Sequence, residues 1–225
     1  MTFVPTLDTE GPHRPRVPRT LDPVEIRVLG SLIEKQLSTP EYYPLTLNAL
    51  VAACNQKSNR EPVMDLEESE IQRALARLQD ERLVWRVMGG RAVRFDHNLD
   101  TVWHLRKGEK AILGVLFLRG PQTAGELRGR CERLHPFESI AEIDELLREM
   151  GAHSEPLVTQ LPRRPGQKEE RWAHSAGGAI IDTAPLEPET AAPSGVPLSV
   201  RVLQLEDQVA RLTTELAELK SKLGE

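Results

Sequence analysis

Apolar residues fall at helical spacing in three successive stretches near the start of this chain, and then at alternate positions on either side of a turn. Ile26, Leu29, Ile33 and Leu37, widened by Leu32, form the first stripe and predict a helix that buries one face. Asp22-Pro23 supplies a cap followed by proline in the first turn, and Thr39-Pro40 ends the run. Over residues 42–60 an extended approach leads into a short helix, with Thr46 as its cap and Leu47, Leu50 and Val51 on one face. After Cys54 the pattern stops at Asn55, Gln56, Lys57, Ser58, Asn59 and Arg60, all hydrogen-bond donors and none a carboxylate. Pro62 disfavours helical continuation, and a longer helix starts near Leu66 with Ile71, Leu75 and Leu78 as its stripe. Trp85 and Val87, then Val93 and Phe95, alternate on two strands around Gly89-Gly90. Three helices followed by a hairpin is the order of a winged helix, built around a helix-turn-helix.

The plan then repeats. Val28-Leu29-Gly30-Ser31-Leu32-Ile33 answers to Ile112-Leu113-Gly114-Val115-Leu116-Phe117. Thr46, Leu50 and Cys54 recur at the same spacing as Thr123, Leu127 and Cys131, and Ile71, Leu75 and Leu78 as Ile143, Leu147 and Met150. Leu83-Val84 matches Leu157-Val158 at a strand start, and a second hairpin spans 157–161 and 171–174 around Arg163-Arg164-Pro165-Gly166. Matched clusters in one order predict two tandem winged-helix domains.

The ends of the chain differ. Residues 1–20 alternate Pro5, Pro12, Pro15 and Pro18 with Arg14, Arg16 and Arg19, a composition too poor in apolar surface to order itself. Residues 183–198 are rich in proline and small residues, as a linker is. Beyond them Val202, Leu205, Val209, Leu212, Leu216, Leu219 and Leu223 alternate spacings of three and four, a coiled-coil seam of about three heptads. Val202 at position a sets Glu215 at g and Lys220 at the following e, which favours a parallel homodimer; the alternative is a helix folded back on its own domain. The expected class is mostly α with small β-hairpins (α+β). The expected order is an arm (1–20), two winged helices (21–106 and 107–182), a linker (183–198) and a coiled-coil helix (199–225).

Composition narrows the function. The 225 residues carry a formal net charge of −5, so polyanion binding requires a local cationic patch. No apolar run approaches membrane-spanning length and the start has no signal-peptide pattern, which predicts a cytoplasmic protein with no membrane partner. Cys54 and Cys131 form no Cys-x-x-Cys motif and read as reduced core thiols. The six histidines are scattered without the i, i+4 spacing of a helical metal site, no glycine loop cradles phosphate, and no base can be assigned to Ser58. No catalytic residues, metal or cofactor are expected.

Residues 21 to about 175 resemble the uncharacterised YceH-like family of bacterial tandem winged-helix proteins. The resemblance is carried by Arg27-Val28-Leu29-Gly30-Ser31-Leu32-Ile33-Glu34-Lys35, by Thr39-Pro40-Glu41-Tyr42-Tyr43-Pro44-Leu45 and above all by Ala53-Cys54-Asn55-Gln56-Lys57-Ser58-Asn59-Arg60-Glu61-Pro62. It implies the fold and very little chemistry.

Two functions follow from different classes. As a regulator, the protein binds double-stranded DNA through its first domain. The candidate residues are Asn55, Gln56, Lys57, Ser58, Asn59 and Arg60 of the turn, Arg73 and Arg77 of the third helix, and Arg86, Arg91 and Arg94 of the wing. Against this, Asp65, Glu67, Glu68 and Glu70 crowd the start of that helix. As an adaptor, the winged helices grip a protein partner instead, and the second domain, with its acidic third helix, is expected to contact protein more readily than DNA.

Overall fold

Asp22 caps the first helix, α1 (Pro23–Ser38): its carboxylate accepts the Glu25 N–H at 2.9 Å while Glu25 accepts the Asp22 N–H at 2.8 Å. The computed structural model describes residues 19–89, 92–163, 169–178 and 211. The arm up to residue 18, the linker and every position of the heptad seam (Val202, Leu205, Val209, Leu212, Leu216, Leu219 and Leu223) lie outside the described residues.

A 3-10 turn (Pro40–Tyr42) and a two-residue strand β1 (Leu45–Thr46) lead into α2 (Leu47–Cys54), capped by the Thr46 hydroxyl on the Ala49 N–H at 3.3 Å. Helix α3 (Glu68–Asp80) and the hairpin β2 (Val84–Gly89) and β3 (Ala92–His97) complete the first module. The sheet is antiparallel in order β1-β3-β2, with Leu45 opposite Phe95 and Arg86 opposite Phe95 on its other side. A short helix α4 (Leu99–Val102) precedes the second module: α5 (Lys107–Arg119), α6 (Ala124–Cys131), α7 (Ile140–Ala152), β4 (Val158–Leu161) and β5 (Arg171–His174).

The repeat read from the sequence is structural. Thr46 and Thr123 both cap their helices, and Leu50, Leu127, Cys54 and Cys131 are all fully buried. The two-residue strand β1 shrinks in the second module to a single bridge between Gln122 and Trp172. Neither β1 nor α4 carries enough periodic residues to be read from the sequence.

One expectation needs correction. Helix α1 does not bury a single face: every residue from Glu25 to Ile33 is buried, as is α5 from Gly108 to Leu118. The two helices pack on each other as the common centre of both modules. A Cβ on Gly30 would stand 2.9 Å from Leu118 and from Phe117, and one on Gly114 would stand 2.7 Å from Ile33. Matched glycines of the two repeats thus each receive the other helix, and a single apolar core runs through both modules, which form one compact unit. The backbone also crosses the seam, where Glu61 N–H donates to the Leu118 carbonyl at 2.7 Å and Leu21 N–H to Ala176 at 2.9 Å.

Candidate interaction surface of the first winged helix

The polar turn after α2 is built inward at its two ends, Asn55 and Arg60, and presented outward at its middle. Arg60 is 4 % exposed. Its guanidinium meets the Glu34 carboxylate at 2.6 and 3.1 Å and donates to the Ala53 carbonyl at 2.8 Å and the Gln56 side chain at 2.9 Å. Burial opposes ionisation of Glu34, but hydrogen bonds and charge from Arg60, with help from Lys35, pull its pKa below the usual carboxylate value. Arg27, 1 % exposed, donates to the Cys54 carbonyl at 3.1 Å and to Pro62 at 2.5 Å. Burial, then the nearby Arg60 charge, lower the pKa of Arg27. Two buried guanidinium groups therefore close the last carbonyls of α2, where the helix dipole favours cations.

Asn55 clasps Leu66 by both backbone groups, at 2.8 and 2.9 Å, and ties the end of α2 to the start of α3. Asn59 adopts a φ of 61°, a conformation asparagine tolerates well, and accepts a hydrogen bond from Arg119 of the second module. The family-like string is in large part a structural knot. Arg60, Asn55 and Gln56 hold internal partners, while Lys57, Ser58 and Asn59 are exposed.

The arginines of α3 and the wing divide in the same way. Arg77 pairs with Glu25 at 2.8 Å and with Asp22, and so ties α3 to the start of α1. Glu25 is opposed by burial, yet hydrogen bonds from Arg19 and Arg77 hold its pKa down to about 2. Arg73 is exposed and donates to its own helix at Ser69. Arg94 donates to the Pro44 carbonyl at 2.7 Å. The strand register puts Arg94 beside Val87 and Arg86 beside Phe95, on opposite faces of the hairpin. Arg91 lies outside the described residues. Among the described cations, Arg60, Arg77 and Arg94 thus have internal partners, and Arg86 stands on the hairpin face opposite Arg94.

What the module does present is a groove of about 590 Å³ between α3, the start of α2 and the wing. Leu47, Leu75, Ala76, Val93 and Phe95 line it with apolar surface; Thr46, Asn48, Gln72 and Gln79 add neutral polar groups. Arg86 is the one charged residue in that lining. Ala76 was the missed signal: a small apolar residue between Gln72 and Gln79 on the exposed face of an otherwise charged helix. Among the described residues, no cluster of three His, Cys, Asp or Glu side chains could hold a metal ion. Both cysteines are free and buried, which pushes Cys54 up to about 11 and Cys131 to about 12. No described helix is long and apolar enough to cross a membrane.

Residues 21–167 match the model of a family described as a protein of unknown function, DUF480. The chain belongs to that family. It is 50 % identical over 200 residues to a UPF0502 protein of Geobacter sulfurreducens, covering 88 % of this chain and 90 % of the relative. A UPF0502 protein of Azoarcus sp. is 46 % identical over 212 residues, covering 93 % and 94 %. These names describe no activity. The family match spans the knot, the α1–α5 pairing and the groove alike.

Proposed function

We propose that this member of the DUF480 family is a non-enzymatic interaction protein that grips a protein partner through the groove between α3 and the wing. The groove itself carries the reading: an accessible apolar floor with amide rims and one cation suits a protein surface better than a polyphosphate backbone. Duplex binding draws its affinity from several cations on one face. Here Arg60 is buried on Glu34, Arg77 is paired with Asp22 and Glu25, and Arg94 and Arg86 stand on opposite sides of the hairpin.

The test uses Ala76→Arg, which fills the groove from an exposed helical position. Full-length protein, immobilised and exposed to nuclease-treated lysate of its native cells, is expected to retain a protein in stoichiometric amount that the variant does not hold. Equal retention by both proteins rejects the groove. Salt-sensitive binding of duplex DNA, weakened by substitution of Lys57, Arg73 and Arg86, would reinstate the regulator in place of the adaptor.

A further inference from the structure

The partner's chemistry follows from the groove's lining, and this step rests on the reading of the groove as a partner site. We infer that its occupant is a peptide segment carrying an aliphatic or aromatic side chain close to a carboxylate. Leu75 and Phe95 reach the groove from the core, so an apolar side chain entering there covers apolar surface at its floor as well as its own. Arg86 is exposed, lines the groove and has no ion pair or hydrogen bond among the described residues. No carboxylate belongs to the lining. A guanidinium in that setting donates two parallel hydrogen bonds to a carboxylate, whereas a basic segment meets uncompensated like charge. Asn48 and Gln79 supply side-chain amides for the backbone of the segment.

The groove also has a direction. Glu68 holds the Gln72 amide at 2.9 Å and places negative charge toward the beginning of α3. The acidic residue of the segment therefore sits at the Arg86 side and is kept from the Glu68 side.

The experiment is selection of a phage-displayed random peptide library on the immobilised full-length protein, run in parallel on Ala76→Arg and Arg86→Glu. Both variants change exposed residues, and their circular dichroism and melting are compared with the parent first. Enriched sequences are expected to place Asp or Glu within a few positions of Leu, Ile, Val, Phe or Trp and to disappear on Ala76→Arg. A synthetic peptide from that set is expected to lose about tenfold or more in affinity on Arg86→Glu, and to recover when its acid is replaced by lysine. Enriched sequences that depend on Ala76 but need no acid would overturn the acidic class and leave the groove as a partner site. Enrichment indifferent to Ala76→Arg would overturn both. No enrichment above the bare matrix rejects the peptide occupant, and the lysate comparison then judges the groove alone.

Discussion

Arg60 and Glu34 meet in a two-pronged ion pair, 2.6 and 3.1 Å between paired nitrogens and oxygens, with the arginine side chain sealed from solvent. The pair joins the turn after α2 to the C-terminal half of α1, so the most distinctive string in the chain secures a helix end. Truncating a buried pair leaves the other charge uncompensated, at about 3–5 kcal/mol. Arg60→Ala is expected to destabilise by that amount in urea unfolding. Arg60→Lys should fall between, because one ammonium cannot serve Glu34, Ala53 and Gln56 in the same geometry.

Gly114→Ala tests the joint between the modules. The added methyl would meet Ile33 at 2.7 Å, and overpacking of this kind costs about 1–3 kcal/mol, partly offset by alanine's helix preference of about 1 kcal/mol. A net loss is expected. Combining it with Ile33→Ala should cost less than the sum of the two single changes, measured as a double-mutant cycle in denaturant.

Acid should weaken the fold through buried histidines. Burial lowers His97 and His174 to about 4, against an ordinary value of 6.5. At His97, Asp100 and Asp96 pull the pKa up while Lys110 pushes it down further. Both rings are therefore neutral in the fold, and His97 accepts the Leu99 N–H at 3.3 Å while facing Gln36 at 2.9 Å. The unfolded chain binds protons that the folded chain refuses. The stabilisation is full above pH 6.5 and is lost as pH falls toward 4, by about 2–3 kcal/mol per ring. Glu25, held at about 2, adds a further loss below 4.5. Urea midpoints from pH 7 to pH 4 should fall steadily, and His174→Phe should flatten part of that slope.

Two wing arginines should separate cleanly. Arg86 has no ion pair or hydrogen bond among the described residues, so Arg86→Ala is expected to stay within about 0.5 kcal/mol of the parent in stability. Arg94→Ala removes the bond to Pro44 and should cost about 1 kcal/mol. Matched denaturation curves of the two variants check this.

The heptad seam makes a separate prediction. If the leucines from Val202 to Leu223 pair two copies, light scattering gives a dimer for the intact chain and a monomer for one ending at Pro197. The same number of chains per particle in both would assign the seam to its own chain.

Much of the fold was legible because both modules obey local rules. Thr46 and Thr123 cap helices, and the apolar stripes of α3 and α7 are buried as their spacing requires. The charges were not legible in the same way. Asn55 and Arg60 read as free donors because their acceptors, Leu66 for the one and Glu34 and the α2 carbonyls for the other, are brought to them only by the fold. Likewise Arg77 looks like a base-reading side chain until α1 brings Asp22 and Glu25 to it.

Sequence alone determined the longer helices, the two hairpins, the repeat and the family, since caps, turns and apolar periodicity act within a few residues of one another. Only the tertiary structure decided that α1 and α5 are buried on all sides through Gly30 and Gly114, and which cations are already spent on internal partners. It also decided that a groove with Arg86 as its one charged lining residue lies between α3 and the wing. Those outcomes depend on groups far apart in the chain meeting at hydrogen-bonding or contact distance, and residue spacing carries no measure of that.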